Sequence, residues 1–83
     1  MQYSELYAKH ILSLCRQRAI SVNQLASMSG IRQSTINNII HGSSKNPKIM
    51  TLHKIAIAFS MTLSDFLNFD ALNLYSFDDE TEN

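Results

Sequence analysis

The chain has 83 residues, enough for one small domain, and 45% of them are hydrophobic, which argues against wholesale disorder. The 2 Gly, 1 Pro and single Cys favour helices over a turn-rich β-sandwich and exclude an internal disulfide. The net charge of zero conceals a division, because residues 1–60 carry seven bases and one acid whereas residues 61–83 carry six acids and no base. This division favours an anionic partner for the first part of the chain.

The same sequence argues against several classes of protein. The N-terminus has no basic stretch followed by an apolar one, so we expect no signal peptide. No apolar run approaches the ~18 residues of a membrane span, and we therefore expect no membrane association and a cytoplasmic location. The chain is also short for an enzyme, which needs a pocket as well as a core.

Two helices are predicted in the first part of the chain. Residues 5–19 contain no Gly or Pro and repeat apolar side chains at helical spacing. Ser21 can cap a second helix because its hydroxyl accepts from an unpaired backbone N–H, and Gln24 completes a capping box. Gly30 can adopt the positive φ that ends this helix.

Three further helices follow. Isoleucines on one face and polar side chains on the other indicate a third helix within residues 31–40. A polar turn at residues 43–48 separates it from a fourth helix over about residues 49–59. Thr62 caps a short fifth helix, after which we expect the domain to close.

The second and third helices form a helix-turn-helix pattern, because a short turn containing Gly30 joins two helices with facing apolar stripes. The outer face of the third helix offers only amide and hydroxyl side chains, namely Gln33, Ser34, Asn37 and Asn38. Such amides can bond N6 and N7 of adenine in the major groove, and an acid there would repel phosphate. The alternative is that these residues are simply a solvated helix face.

At this point the chain resembles the Cro/CI-type (Xre-like) family of helix-turn-helix DNA-binding proteins. The resemblance extends without gaps over about residues 20–67. It is carried by Leu25-Ala26, Gly30-Ile31, Ser34-Thr35-Ile36, Ile39, Gly42, Pro47, Ile55-Ala56, Phe59 and Leu63-Ser64-Asp65-Phe66. It implies an all-α, five-helix bundle of the lambda-repressor-like type, whose third helix enters the major groove and whose members commonly repress transcription as dimers.

The resemblance also implies roles for individual residues. The family's usual base readers match Gln33, Ser34 and Asn38, with Asn37 as a fourth candidate. Its phosphate contacts match Thr35, Ser43, Lys45 and Lys48.

Two features depart from the family's pattern, one at a single position and one at a pair of positions. A phosphate-binding Gln that relatives often carry at the start of the second helix is Val22 here. The N-terminus of that helix, with Ser21 and Asn23, can still present backbone N–H groups to a phosphate. Many relatives have an Arg–Glu ion pair where this chain has Cys15 and Ile40. Because both partners are replaced, no buried charge is left unpaired, and we expect Cys15 and Ile40 to contact each other with water excluded.

The domain is expected to cover residues 1–68, and residues 69–83 form a C-terminal extension with an acidic end. The extension carries five large apolar side chains, and a monomer is not expected to leave a patch of this size exposed to solvent. They are Phe69, Leu72, Leu74, Tyr75 and Phe77. It either folds back on the bundle or packs against a second copy. We favour the homodimer, because two half-sites about 34 Å apart raise specificity.

The sequence therefore predicts a regulator, most often a repressor in this family, that binds double-stranded DNA and uses no cofactor, metal or catalytic group. One alternative is the antitoxin of a toxin–antitoxin pair, with the extension binding a protein partner. A second is a protein-interaction module on the same fold. A small enzyme lacks every motif that it would need.

Overall fold

The computed structural model describes residues 2–79. These residues form six α-helices followed by a 3-10 turn, and no strand is present among them. The helices are α1 (Tyr3–Gln17), α2 (Val22–Ser29), α3 (Gln33–Ile40), α4 (Ile49–Ala58), α5 (Leu63–Leu67) and α6 (Asp70–Asn73), and the 3-10 turn is Phe77–Asp79. The predicted all-α, lambda-repressor-like fold is confirmed, with one short helix, α6, beyond the five that the sequence predicted.

The predicted helix ends are confirmed where a side chain or a glycine determines them. The Ser21 hydroxyl accepts from the N–H of Gln24 at 3.0 Å, and the Gln24 side-chain oxygen accepts from the N–H of Ser21 at 2.7 Å. The Thr62 hydroxyl accepts from the N–H of Asp65 at 3.0 Å in the same way. Gly30 ends α2 with φ of 72°, a left-handed conformation that glycine adopts without steric cost.

The core lies where α1, α3 and α4 meet α2 and α5. Leu25, Ile36, Ile55 and Phe66 have no exposed surface, so each of α2, α3, α4 and α5 contributes a fully buried side chain. Ile31 packs against this cluster from the turn between α2 and α3. Burial of these apolar faces fixes the angle at which α3 crosses the bundle and thus the direction of its opposite face.

Cys15 and Ile40 occupy the same apolar region. Cys15 is 4% exposed within the core cluster, and Ile40 packs, partly buried, against that cluster. Burial raises the pKa of the Cys15 thiol, which keeps it in the neutral form. The direct contact between the two side chains stays a prediction.

The C-terminal extension packs its aromatic side chains against α1. The ring of Phe69 stacks on His10 with centroids 3.7 Å apart, and the rings of Tyr75 and Phe77 lie 5.1 and 5.2 Å from that of Tyr3. Leu74 and Phe77 nevertheless remain 81% and 65% exposed. Residues 69–77 of the extension therefore fold back on the bundle and still present apolar surface, and the contact of the extension with a second copy stays a prediction.

Candidate nucleic-acid interface

The polar face of α3 points outward. Gln33, Ser34 and Asn38 are exposed and Asn37 is half-buried, whereas Ile36 and Ile39 on the opposite face are buried. Residues four apart on a helix are neighbours, so the four polar side chains form two adjacent rows on one surface. The rings of Phe69, Tyr75 and Phe77 of the extension contact aromatic side chains of α1.

Two of the predicted base readers contact each other directly. The Gln33 side-chain amide donates to the Asn37 side-chain oxygen at 3.1 Å. One hydrogen of the Gln33 NH₂ group and its carbonyl oxygen stay available, which are the donor and acceptor that adenine N7 and N6 require. The bond restricts the rotation of the Gln33 side chain, an arrangement that the sequence did not reveal.

The start of the loop after α3 is held against the C-terminal end of that helix. Gly42 turns the chain with φ of 75°, and the carbonyl oxygen of Asn38 accepts from the N–H groups of Ser43 and Ser44 at 2.9 and 3.1 Å. These bonds bring Ser43, a predicted phosphate contact, next to Asn38, a predicted base reader. Both are exposed.

The N-terminus of α2 offers a second place for a phosphate. The capping box already occupies the N–H groups of Ser21 and Gln24, which leaves those of Val22 and Asn23 as donors at this helix end. The Ser21 oxygen serves as the cap acceptor, so its hydroxyl hydrogen is the part that could donate to a phosphate. Ser21 and Asn23 are both exposed.

The remaining predicted phosphate contacts differ in accessibility. Thr35 is half-buried. Lys48 is the exposed N-cap of α4, and Lys45 is exposed in the preceding loop. Lys45 also lines a groove with Asn46, Tyr3 and Phe77, which places it beside the extension.

Arg32 is a candidate that the sequence analysis missed. It is exposed and is the N-cap of α3, in an extended conformation immediately before Gln33. A cation at that position lies beside the predicted base readers. The signal in the sequence was a base directly before the predicted helix. Arg18, by contrast, lies 5.2 Å from the ring centroid of Phe59, a cation–π contact that stabilises the fold.

The described residues offer little to other chemistry. Among residues 2–79 no three His, Cys, Asp or Glu side chains come together as a metal site. His10 donates from Nε2 to the carbonyl of Phe66 at 2.8 Å and stacks on Phe69, so it holds α1 to the C-terminal elements. No helix within the described range is long and apolar enough to cross a membrane.

Comparisons with known proteins agree with this geometry. Residues 10–71 match the family model of the Cro/C1-type helix-turn-helix DNA-binding domain. RghRB of Bacillus subtilis (strain 168), described as an uncharacterized helix-turn-helix-type transcriptional regulator, is 33% identical over 61 residues. That match covers 74% of this chain and 44% of RghRB, so the chain spans less than half the length of this relative.

Two solved structures are similar in fold. The crystal structure of the prophage Lp1 protein 11 has a TM-score of 0.79 and 31% identity, and the match covers 88% of this chain and 97% of that one. An HTH_3 family transcriptional regulator from Vibrio cholerae has a TM-score of 0.70 and 28% identity, with 78% of this chain and 36% of that one covered. The chain belongs to the Cro/C1-type family of helix-turn-helix DNA-binding domains.

Proposed function

We propose that this protein is a transcriptional regulator that binds specific sequences in double-stranded DNA by placing α3 in the major groove. The observation that carries the proposal is the outward, acid-free face of α3, on which Gln33 and Asn37 are joined by a hydrogen bond. A repressor is the simplest form, since a bound protein of this kind excludes others from its site.

Base readout rests on the first two turns of α3. Gln33 and Ser34 lie at the N-terminal end, which approaches base edges most closely in helix-turn-helix docking. The Asn37 bond reduces the entropy that Gln33 loses on binding adenine, because its amide is already oriented. Asn38, one turn beyond Ser34, extends the reading surface.

Phosphate contacts would come from residues both before and after α3 in the chain. The N–H groups at the start of α2 and the exposed Arg32 lie before α3 in the chain, and Ser43, Lys45 and Lys48 lie after it. Such contacts set the register of the helix on the duplex and carry no sequence information. Thr35 contributes less, since it is half-buried.

A homodimer would supply the specificity that one such domain lacks. Leu74 and Phe77 are 81% and 65% exposed at the end of the extension, and apolar side chains of this size favour burial against a partner. The same two residues, next to the acidic end, support an antitoxin as a second candidate, in which the extension binds a protein instead of a second copy.

The test is to select bound sequences from a random duplex library and to measure the affinity of the selected duplex against salt concentration. A specific regulator yields an enriched sequence, bound about 10³-fold or more tightly than random DNA. A library that stays random after selection would reject sequence-specific binding.

A second measurement tests a predicted contact with the DNA backbone. We expect Lys48→Ala to weaken selected and random duplexes by similar factors and to reduce the salt slope by about one, because a phosphate contact releases one counterion wherever it is made. Loss of affinity for the selected duplex alone would assign Lys48 to base readout instead.

A further inference from the structure

Helix α4 is apolar on two opposite sides, and the core covers one of them. Seven of its ten residues are apolar, and Leu52, Ile55 and Ala56 are the buried ones among them. On the other side, Met50 and Ile57 remain 68% and 64% exposed. A helix that is apolar on most of its sides is usually buried on most of them. The outer side of α4 is therefore a surface that residues 2–79 leave uncovered.

The exposed apolar side chains of α4 surround a cation. Met50, Lys54 and Ile57 are spaced by four and three residues, so they form one row along the helix. Lys54 is exposed between the two apolar side chains, and α4 contains no acid. We call this row, Met50–Lys54–Ile57, the α4 face. It offers apolar surface and one positive charge to whatever covers it.

The C-terminal extension presents the opposite combination. Leu74, 81% exposed, is the C-cap of α6, and its N–H donates to the carbonyl of Asp70 at 2.8 Å. This bond spans one helical turn, so Leu74 and the exposed Asp70 lie on the same side of α6. We call these two residues the α6 face. The rings of Phe69 and Tyr75, which pack on His10 and Tyr3 of α1, hold this segment on the bundle.

The two faces complement each other, but not within one molecule. Met50, Ile57 and Leu74 are all more than half exposed, so the α6 face does not cover the α4 face of its own chain. A second copy carries both faces. A two-fold axis then forms the contact twice, once in each direction, and the assembly closes at two copies. Opposite charges at Lys54 and Asp70 favour this pairing over α4 against α4 or α6 against α6.

We propose that the α4 face binds the α6 face of a second copy, with Leu74 packed against Met50 and Ile57, and Asp70 beside Lys54. The proposal deepens the proposed function, on which it rests, because it names the surface that the extension covers in the homodimer. Two such contacts hold two α3 helices at a fixed separation, as the reading of two half-sites requires.

The apolar part of the contact is tested by analytical ultracentrifugation of the intact protein without DNA. We expect the wild type to sediment as a dimer and Ile57→Ala to weaken self-association about tenfold or more. Because Ile57 is exposed in the single chain, its replacement should leave urea denaturation of the monomer nearly unchanged. A wild type that stays monomeric at millimolar concentration, or a dimer that Ile57→Ala does not weaken, would overturn the proposal.

The charged part is tested by exchanging the two charges between variants. Lys54→Asp sets two carboxylates against each other in both contacts of a dimer, and Asp70→Lys sets two ammonium groups against each other. We expect each variant alone to associate about tenfold or more weakly than the wild type at low salt. In an equal mixture every contact pairs opposite charges, so heterodimers should form and appear in native mass spectrometry at the summed mass.

Arg16→Asp is the matched control, since it makes the same change of charge as Lys54→Asp at an exposed position of α1. It should leave the dimer unchanged. A mixture of Lys54→Asp and Asp70→Lys that remains monomeric would overturn the proposed pairing, as would an Arg16→Asp protein that dissociates like Lys54→Asp.

The outcomes separate this proposal from DNA binding. If the pairing is wrong, the wild type and Lys54→Asp select the same sequence with equal affinity. If it is right, Lys54→Asp keeps the half-site preference and binds the full selected duplex more weakly. A wild type that binds no duplex would reject the proposed function, and the mixing experiment, which contains no DNA, would still decide how the two copies meet.

Discussion

At the scale of single residues, contacts between side chains refine the roles that the sequence predicted. The sequence identified Gln33 and Asn37 as polar residues on one helix face, but the hydrogen bond between them depends on rotamers that composition does not determine. Arg32 was missed as a candidate DNA contact for a related reason. It is a candidate because it lies at the start of α3, beside the predicted base readers, and not because it is an arginine. Ser21 was predicted correctly as a cap, because its partner Gln24 is three residues away.

His10 leads to a prediction of pH dependence. Burial lowers its pKa below the ordinary value of 6.5, with the hydrogen bond to the Phe66 carbonyl acting in the opposite direction. The unfolded chain thus binds a proton at a higher pH than the folded one. The stability associated with neutral His10 is present above about pH 6.5 and is lost as the pH falls through that value toward the folded pKa.

The measurement is chemical denaturation of the wild type and of His10→Leu between pH 5 and pH 8. The variant is expected to be less stable at pH 8, because it lacks the hydrogen bond to Phe66, and to lose less stability on acidification. Parallel pH profiles for the two proteins would show that His10 does not titrate differently on folding.

At the scale of helices, the sequence predicted boundaries well where local chemistry defines them. Ser21, Thr62 and Gly30 act on residues within one turn of themselves, so their effects can be read from the sequence. The third helix was predicted within residues 31–40, and α3 begins at Gln33, because Ile31 packs against the core from the turn. The short helix α6 has no side-chain cap, and no local signal indicated it.

Two helix ends carry residues in an unfavourable conformation. Ala19 and Ser60 have φ of 54° and 59°, in the left-handed region that costs side chains with a Cβ about 1–2 kcal/mol. Ala19→Gly and Ser60→Gly should each stabilise the protein by about 0.5 kcal/mol, since the larger entropy of the unfolded glycine offsets part of the relief. Thermal denaturation monitored by circular dichroism measures the change.

Gly30→Ala is the matched control. A side-chain carbon at Gly30 would meet nothing within 4 Å, so any destabilisation comes from its φ of 72° and not from a clash. We expect Gly30→Ala to lower the free energy of unfolding by about 1 kcal/mol, whereas Ala19→Gly and Ser60→Gly raise it. Stabilisation by Gly30→Ala would contradict the account of these helix ends.

At the scale of the whole molecule, the extension is what the sequence described least well. Its apolar content predicted burial, but the choice between folding back and dimerising depends on contacts far apart in the chain. Phe69 stacks on His10 and Tyr75 meets Tyr3, pairs that no local pattern joins. The fold of residues 20–67 was predictable, by contrast, because a family resemblance and helical periodicity agreed there.

The fold-back predicts that the extension contributes to stability. Phe69→Ala removes a half-buried ring that stacks on His10 and lies 6.4 Å from the ring of Tyr7. We expect the free energy of unfolding to fall by about 1–2 kcal/mol, less than the ~3–5 kcal/mol that replacing a fully buried Phe with Ala costs. Urea denaturation measures it, and Leu74→Ala, at an 81% exposed position, should cost little in the monomer.

A chain ending after residue 68 tests the predicted domain boundary. We expect it to remain folded with a lower melting temperature, because the core residues of α1 to α5 precede the boundary. An unfolded product would show that the extension belongs to the domain.

The homodimer is tested by analytical ultracentrifugation of the wild type and of Leu74→Ala. A dimeric wild type and a monomeric variant would support it.

The central claim is that the outward face of α3 reads bases, and one paired selection tests it most directly. The wild type, Gln33→Ala and Asn73→Ala select from the same random duplex library. Asn73 is a suitable control, because its exposed amide donates to the Asn68 side chain at 2.8 Å, as Gln33 does to Asn37. The account predicts that Gln33→Ala relaxes the preference at one base position by about 1–3 kcal/mol, while Asn73→Ala leaves the enriched sequence unchanged. An identical enriched sequence for all three proteins would contradict it.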